Sequence, residues 1–377
     1  SPCSAEIEVA SGPHIRHVFV RDGHLLILAI ALLAGSFVLS AALTAATKRL
    51  ALRAGFVAHP APDRYHRSVI PLGGGIAIFG ALSTVILAAI VVVKFLVAPG
   101  RLGWLAERTT INPGDFLARM NELLVIWLSV LVLFVLGLWD DKKRLGPFFK
   151  LAVQFAVAII AAAFGEIRVE FFLESKAATS VLSAVWIVLI INAFNFLDNM
   201  DGASAGIAVI VSSILFAAAA FSGQILVGGL AIVFVGTLLG FLVFNFPPAT
   251  IFMGDAGSLV VGFFVALLSL RTTYYHEAQS GAWYPVFMPL VVMAVPLYDF
   301  ISVTLLRLSQ GKSPFVGDTQ HFSHRLKRHG LTDTQTVLVL YLATLCTGLG
   351  ATFLYQVNRV GAVLIFIQTI LVLAIIA

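Results

Sequence analysis

Apolar residues are grouped along this chain in blocks of about 15 to 24, with short polar segments between them. An α-helix rises about 1.5 Å per residue, so about 20 apolar residues cross a hydrocarbon core of roughly 30 Å. The pattern predicts an all-α, polytopic integral membrane protein with about 11 transmembrane helices. The predicted spans are 24–46, 74–97, 121–139, 147–164, 180–197, 203–221, 225–244, 256–270, 284–306, 335–356 and 359–377.

Composition agrees with this pattern. Of the 377 residues, 59% are hydrophobic and 11% are charged, whereas a soluble domain has about 25% charged residues. These values exclude a soluble enzyme, a disordered chain and a disulfide scaffold. The net charge of +5 does not indicate nucleic-acid binding, because the basic residues lie in short loops between apolar blocks. Cys3 and Cys346 form neither a metal-binding nor a disulfide pattern.

The chain is organised as a short polar tail and one membrane domain. Residues 1–23 have no apolar core, so the first apolar block is expected to act as an uncleaved anchor. Residues 24–377 are predicted to form a single membrane-embedded domain. No internal repeat is visible in the sequence, which disfavours a transporter built from duplicated halves.

Basic residues predict the orientation in the membrane. The loops after the odd-numbered spans carry 14 of the 24 Lys and Arg residues, counting Lys150 at the start of the fourth span. By the positive-inside rule these loops are cytoplasmic, with the N-terminus outside and the C-terminus inside. The densest polar segments lie in or beside the same loops, and these are Asp140-Asp141, 192–201, Asp255 and 318–329. All four are therefore expected to face the cytoplasm.

Asp140 and Asp141 end the third predicted span. One interpretation is an interfacial carboxylate pair neutralised by the following Lys142, Lys143 and Arg144. The other is a functional site, because adjacent carboxylates repel each other and favour a bound cation. Carboxylates at a membrane boundary are also costly unless they have partners. Both interpretations are open at this point.

The segment 192–202 has an unusual polar pattern. Asn192, Asn195, Asp198 and Asp201 recur every three residues and so form one broad stripe on a helix. No Lys or Arg in the segment neutralises them. Oxygen ligands without basic partners suit Mg²⁺, which uses few protein ligands and leaves positions for phosphate oxygens. A plain loop would account for Asp201 and Gly202, but not for amides entering an apolar helix.

Two further segments carry candidate chemistry. Asp255 begins the eighth predicted span beside glycines, where it either caps the helix or holds a cation next to a phosphate-binding helix start. In the longest predicted inside loop, a helix would place His321, His324 and Arg325 on one face. These residues suit a diphosphate clamp, since Arg donates in a fork. The alternative is a solvated basic face that contacts anionic lipid.

Two smaller features have simpler interpretations. Asp299, within the ninth predicted span, is expected near the inside and could pair with Arg307. The glycine run 73–75 lacks the preceding strand and the Lys of a P-loop. It is interpreted as a flexible start of the second span.

Taken together, these segments resemble the polyprenyl-phosphate N-acetylhexosamine-1-phosphate transferase family. They follow the family's order from about residue 55 to residue 345. The matching segments are His59-Pro60 through the glycine run 73–75, Gly137 to Asp141, Asn192 to Gly202, Phe252 to Ser258, and His321 to Leu326. The resemblance implies an enzyme that moves a sugar-1-phosphate from a UDP-sugar to undecaprenyl phosphate and releases UMP, the first membrane step of cell-envelope polysaccharide synthesis.

The resemblance also implies roles for individual residues. Mg²⁺, with Mn²⁺ as an alternative, would be held by Asp255 and Asn195. Asp140 would be the base, with Asp141 in support, and Asp198 would be catalytic or support the metal. The implied substrate-binding residues are Asp201 and Phe252 for the nucleotide, Asn192, and His321, His324 and Arg325 for the diphosphate or sugar. The implied location is the bacterial inner membrane, with the active site on the cytoplasmic side. The implied partners are the lipid and the UDP-sugar, without nucleic acid, and a homodimer is allowed.

Two positions depart from the family pattern, and they bear on the branch. Asn199 stands where relatives usually have Gly, and Ser323 where they often have a third His. The segment 321–326 is more similar to the UDP-GlcNAc branch than to the phospho-MurNAc-pentapeptide branch, which remains an alternative. An ion-coupled transporter is the main alternative that is not an enzyme. A purely structural membrane protein would leave the amide stripe unexplained.

Overall fold

The computed structural model describes residues 23–59, 69–103, 112–168, 175–272, 284–313 and 321–376. This part of the chain is mainly helical, and it also contains two short antiparallel strands, β1 (Val57–Ala58) and β2 (Ile70–Pro71). The first seven helices are α1 (Gly23–Ala54), α2 (Gly74–Val92), α3 (Pro113–Ala118), α4 (Met120–Lys143), α5 (Pro147–Phe164), α6 (Lys176–Leu197) and α7 (Ala203–Phe221). They are followed by α8 (Ile225–Asn245), α9 (Asp255–Arg271), α10 (Met288–Val292), α11 (Ala294–Ser309), α12 (Phe322–Arg328), α13 (Asp333–Thr352) and α14 (Arg359–Ile376).

The predicted fold class is confirmed. Within the described ranges, nine helices are long and apolar enough to cross a membrane, and the bent pair α10–α11, with the turn Tyr284–Phe287 before it, makes a tenth. α9 has 17 residues and occupies the predicted span 256–270. The described residues of all eleven predicted spans are mainly helical, while the number that cross the membrane and the orientation stay predictions.

The predicted span 284–306 is not a straight helix. Tyr284–Val292 and Ala294–Ser309 meet at an angle of 67°. Pro296 has no backbone N–H, and its ring would clash with the carbonyl of Val292, four residues earlier. The helix therefore breaks at Met293, and α11 leaves the break in a new direction.

α9 lies at the centre of the bundle. Every residue from Ala256 to Ser269 is buried, and the helix packs against α2, α4, α6 and α7. A helix that is apolar on all sides is stable when it is surrounded on all sides. The first residue of α9 is Asp255, so the core of the bundle places this carboxylate at the middle of one end.

Glycines allow the neighbouring helices to reach the start of α9. A Cβ on Gly137 of α4 would lie 2.5 Å from the Cα of Ala256, and a Cβ on Gly75 of α2 would lie 2.3 Å from the nitrogen of Gly257. Both contacts are with backbone atoms, which cannot move aside as a flexible side chain can. The two glycines thus set how closely α2 and α4 approach the start of α9.

We expect Gly137→Ala to lower the free energy of unfolding by about 1–3 kcal/mol, the typical effect of overpacking. The matched control is Gly229→Ala in α8, where an added Cβ meets nothing within 4 Å. Ala favours a helix over Gly by about 1 kcal/mol, so the control should be neutral or stabilising. Unfolding temperatures of the two purified variants in detergent test this, and equal shifts would contradict the close approach.

Candidate active site

Polar side chains meet at one end of the bundle, where α4 and α6 end and α5 and α9 begin. Lys150 Nζ lies 2.7 Å from Asp140 Oδ2 and 3.1 Å from Asp255 Oδ2. Asn195 Nδ2 donates to Asp255 Oδ1 at 3.1 Å. We call these four residues, Asp140, Lys150, Asn195 and Asp255, the acidic cluster. The structure thus brings together three site residues that were predicted from separate segments.

Asp141 holds the start of α9. Its Oδ1 accepts the backbone N–H of Asp255 at 2.8 Å, and its Oδ2 accepts that of Ala256 at 3.2 Å. A carboxylate at a helix N-terminus satisfies free N–H groups and is favoured by the helix dipole. Asp255 itself therefore does not cap the helix. Its side chain turns to Lys150 and Asn195, which favours the functional interpretation of this carboxylate.

The predicted stripe on α6 divides between two environments. Asn195 donates to Asp255 and, at 2.8 Å, to Ser258 Oγ. Asn192 lies one turn earlier and donates to Gln154 Oε1 at 2.7 Å and to the carbonyl of Val188 at 2.8 Å. Asn195 thus belongs to the acidic cluster, whereas the amide nitrogen of Asn192 joins α6 to α5.

Asp198 and Asp201 follow the end of α6. Burial raises the pKa of Asp198 well above its ordinary value, and the negative charges of Asp255, Asp141 and Asp201 add to the effect, although Gly254 N–H donates to the carboxylate. Such an environment favours the protonated form of the carboxyl group, and a nearby cation would favour the ionised form. Asp198 therefore joins the acidic cluster electrostatically.

The turn at Asp201 and Gly202 is held by residues that the sequence analysis did not identify. Asp201 Oδ2 accepts the N–H of Ala249 at 2.9 Å. Asn245 accepts the N–H of Gly202 at 3.1 Å, and the Tyr341 hydroxyl donates to the carbonyl of Gly202 at 2.6 Å. Asn245 has a weak sequence signal, an amide ending an apolar helix, whereas Tyr341 has none.

The glycine run 73–75 is not a flexible start of α2, as the sequence had suggested. Gly74 N–H donates to the carbonyl of Phe252, and Gly75 N–H to that of Met253, both at 2.9 Å. In return, Phe252 N–H donates to the carbonyl of Pro71 at 2.9 Å. Backbone hydrogen bonds to Gly74 and Pro71 therefore fix Phe252. Gly74 has no Cβ, and this allows the two backbones to approach so closely.

Most of the histidine segment forms a short helix, the conformation on which the expected shared face depended. His321 precedes α12 as its N-cap, and His324 lies in its first turn, where both side chains are buried. Burial lowers the pKa of His324 to about 4, and the neighbouring positive charge of Lys327 lowers it further. His324 is therefore neutral near pH 7. The buried Nε and Nη2 of Arg325 have no hydrogen-bond partner among the described residues, so they are available to an anionic ligand.

A hydrogen bond joins α12 to the loop after α6. Ser323 Oγ donates to Asn199 Oδ1 at 2.9 Å, and Asn199 Nδ2 donates to the carbonyl of Phe196 at 2.6 Å. Asn199 has a negative φ, since the positive-φ residues other than Gly in the described chain are Arg144 and Glu166. The two positions that depart from the family pattern are thus in contact with each other.

The acidic cluster suits a hard divalent cation that takes some of its ligands from the enzyme's substrate. No three His, Cys, Asp or Glu side chains in the described ranges are placed to hold a metal ion by themselves. Mg²⁺ typically takes one or two carboxylates and completes its shell with water and phosphate oxygens. Asp255 and Asn195 fit that need, provided that Asn195 turns its Oδ1 toward the cation. The ammonium of Lys150 now neutralises the carboxylates that the cation would use.

Sequence comparisons agree with this geometry. A probable undecaprenyl-phosphate N-acetylglucosaminyl 1-phosphate transferase of Bacillus subtilis is 31% identical over 308 residues, covering 80% of this chain and 77% of the relative. The profile described as glycosyl transferase family 4 matches residues 123–273. The chain belongs to glycosyl transferase family 4. The matched range includes the whole acidic cluster of this family 4 protein.

More distant relatives carry related descriptions. A decaprenyl-phosphate N-acetylglucosaminephosphotransferase of Mycobacterium tuberculosis is 29% identical over 327 residues, with 79% of this chain and 76% of the relative covered. An undecaprenyl-phosphate α-N-acetylglucosaminyl 1-phosphate transferase of Escherichia coli K12 is 26% identical over 310 residues, with 78% and 76% covered. The resemblance inferred from short motifs is therefore confirmed over most of the chain.

Lys150 is the main site residue that the sequence analysis missed, since it was counted only as a loop charge. We expect Lys150→Gln to lower the unfolding temperature in metal-free buffer, because Asp140 and Asp255 then lose their shared counter-charge. Adding Mg²⁺ should raise the unfolding temperature of this variant more than that of the wild type. The control is Lys176→Gln, at the exposed opposite end of α6. Equal Mg²⁺ responses in all three proteins would show that the cation does not bind at the acidic cluster.

Proposed function

We propose that this protein transfers N-acetylglucosamine-1-phosphate from UDP-GlcNAc to undecaprenyl phosphate and releases UMP. The observation that carries the proposal is the convergence of Asp140, Asn195 and Asp255 beside the start of α9. The names of the relatives support the same transfer of an N-acetylhexosamine-1-phosphate to a polyprenyl phosphate.

The reaction joins two anions, so its barrier comes largely from charge repulsion and positioning. An oxygen of the lipid phosphate forms a bond to the β-phosphorus of the UDP-sugar. The bond from that phosphorus to the bridging oxygen of the α-phosphate breaks, and UMP leaves. Mg²⁺, when bound by Asp255 and Asn195, supplies positive charge to the diphosphate oxygens.

The other residues position and deprotonate the reactants. Asp140 accepts a proton from the lipid phosphate through a carboxylate oxygen, while Lys150 holds that side chain in place. Asp198 stands beside the metal ligands as a second titratable carboxylate. These roles require one shared end of the bundle, and the contacts among α4, α5, α6 and α9 provide it.

Nucleotide and sugar are assigned to the flanking segments. Asp201 and Phe252 lie on backbone turns held by hydrogen bonds, as suits groups that recognise a flat uridine. Arg325 presents buried donors to a diphosphate oxygen. His324, which is neutral because its pKa is lowered, forms hydrogen bonds with the sugar rather than an ion pair.

We place the active site on the cytoplasmic side of a bacterial inner membrane. The Lys and Arg bias of the odd loops supports this orientation, and the four polar segments share the positive end. UDP-sugars are charged and cannot cross the bilayer unaided, so the acidic cluster must face the compartment that contains them.

The decisive experiment uses UDP-GlcNAc labelled with ³²P at the β-phosphate, undecaprenyl phosphate and sealed membrane vesicles of each orientation. Label should enter the lipid fraction, with UMP released, when the nucleotide is added to the cytoplasmic face. Release of UDP with the label left on the nucleotide would identify a glycosyltransferase instead. Product formed only from UDP-MurNAc-pentapeptide would retain the family and overturn the choice of sugar.

We expect Asp255→Asn to reduce turnover by about 10²–10³-fold, the usual effect of removing one electrostatic stabiliser of the transition state. The amide cannot hold Mg²⁺ as well as a carboxylate does, so turnover should fall while folding and membrane insertion persist. Asp115→Asn, on exposed α3 at the other end of the bundle, is the control. Near wild-type turnover of Asp255→Asn, or full wild-type activity in excess EDTA, would remove the metal from the mechanism.

A further inference from the structure

Three charged or polar side chains outside the acidic cluster are buried together at the start of α12. Asp299 is 1% exposed, Arg307 is 2% exposed and His321 is 5% exposed. Asp299 Oδ2 lies 2.7 Å from His321 Nδ1, and Arg307 Nη2 lies 3.5 Å from His321 Nε2. The imidazole therefore lies between a carboxylate on α11 and a guanidinium in the last turn of the same helix.

The two partners determine which nitrogen of His321 carries the proton. A carboxylate oxygen accepts a hydrogen bond, so Nδ1 is the protonated nitrogen. Arg can only donate, so the Nε2 that faces Arg307 presents its lone pair. A second proton on Nε2 would point at a positive charge. The geometry thus points to Nδ1 as the nitrogen that donates, in a buried site between a negative group and a positive group.

Asp299 also fixes the start of α12. Its second oxygen, Oδ1, accepts the backbone N–H of Phe322 at 3.2 Å. One carboxylate thus orients the His321 ring and satisfies a free N–H in the first turn of the helix. The residues that follow, Ser323, His324 and Arg325, take their positions from this anchor.

Two of these three residues lie next to Phe196, near the end of α6. The guanidinium of Arg307 lies 5.0 Å from the ring centre of Phe196, a cation–π distance. The ring of His321 meets Phe196 edge-on at 5.7 Å. Phe196 lies near the end of α6, so its ring adds an apolar contact that helps to hold His321 and Arg307 in place.

We propose that Asp299 is a positioning residue that holds His321 in the Nδ1-protonated tautomer, and that His321 anchors α12 and Arg307 instead of binding the diphosphate itself. This assignment rests on the proposed function. It changes the role that the resemblance implies for His321, from substrate contact to support. Substrate contact then falls to His324 and Arg325, which follow it on α12.

The test is a double-variant cycle on the full-length protein. Asp299→Asn places an amide against Nδ1, and His321→Gln removes the ring. Each single change should raise the KM for UDP-GlcNAc about 10-fold and leave the KM for undecaprenyl phosphate within about 2-fold, because α12 shifts and the acidic cluster does not. The double variant should be no worse than the poorer single one. Ile301→Ala, on the exposed side of α11, is the control and should match the wild type.

Conservative variants extend the test. Asp299→Glu keeps two accepting oxygens, so its KM for UDP-GlcNAc should rise less than that of Asp299→Asn. If His321 contacts substrate independently of Asp299, the two effects will multiply in the double variant, and the proposal is wrong. An equal rise in the KM for UDP-GlcNAc and the KM for undecaprenyl phosphate in Asp299→Asn would likewise overturn it.

Unfolding temperatures of the same variants separate this inference from the proposed function. Should wild-type protein convert no UDP-sugar, the proposed function fails on its own. The double-variant cycle is then evaluated from unfolding temperatures. Coupled residues give shifts in unfolding temperature that are not additive. Additive shifts in unfolding temperature would overturn the Asp299–His321 assignment without reference to any reaction.

Discussion

The site depends on how a helix N-terminus is satisfied inside an apolar bundle. The first N–H groups of α9 have no partners within the helix, and leaving them unpaired in a membrane is costly. Asp141, near the end of α4, accepts hydrogen bonds from two of these N–H groups. That contact requires the backbones to approach closely, which Gly137 and Gly75 permit. The position of Asp255 follows from this capping, because the residue begins the helix being capped.

An excess of negative charge is the second determinant of the site. Asp140, Asp141, Asp198, Asp201 and Asp255 converge on one end of the bundle, and Lys150 bridges two of them. Such an arrangement repels a second anion unless further positive charge arrives with it. A cation carried in with a nucleotide diphosphate meets that requirement. The same electrostatics thus hold the resting site together and support the proposal that a cation accompanies the nucleotide diphosphate.

The sequence predicted the helices well, because a bilayer demands long apolar blocks and the chain shows them plainly. It also placed Asp140, Asn195 and Asp255 in one site. Their contacts could not be derived locally, since Asn195 and Asp255 are 60 positions apart. Periodicity put Asn192 in the same stripe, yet Gln154 on another helix takes its amide. Lys150 was missed because a count of loop charges does not show which residues a side chain contacts.

The hydrogen bond between Ser323 and Asn199 has a consequence for comparing this protein with its relatives. Each residue looks like an isolated deviation when a motif is read alone, but together they form one contact between two segments 124 positions apart. A histidine segment transplanted from a relative would meet Asn199 with a different residue and leave its carbonyl oxygen without this donor. The transplantable unit in this protein is therefore discontinuous: it comprises the loop after α6 and the first turn of α12.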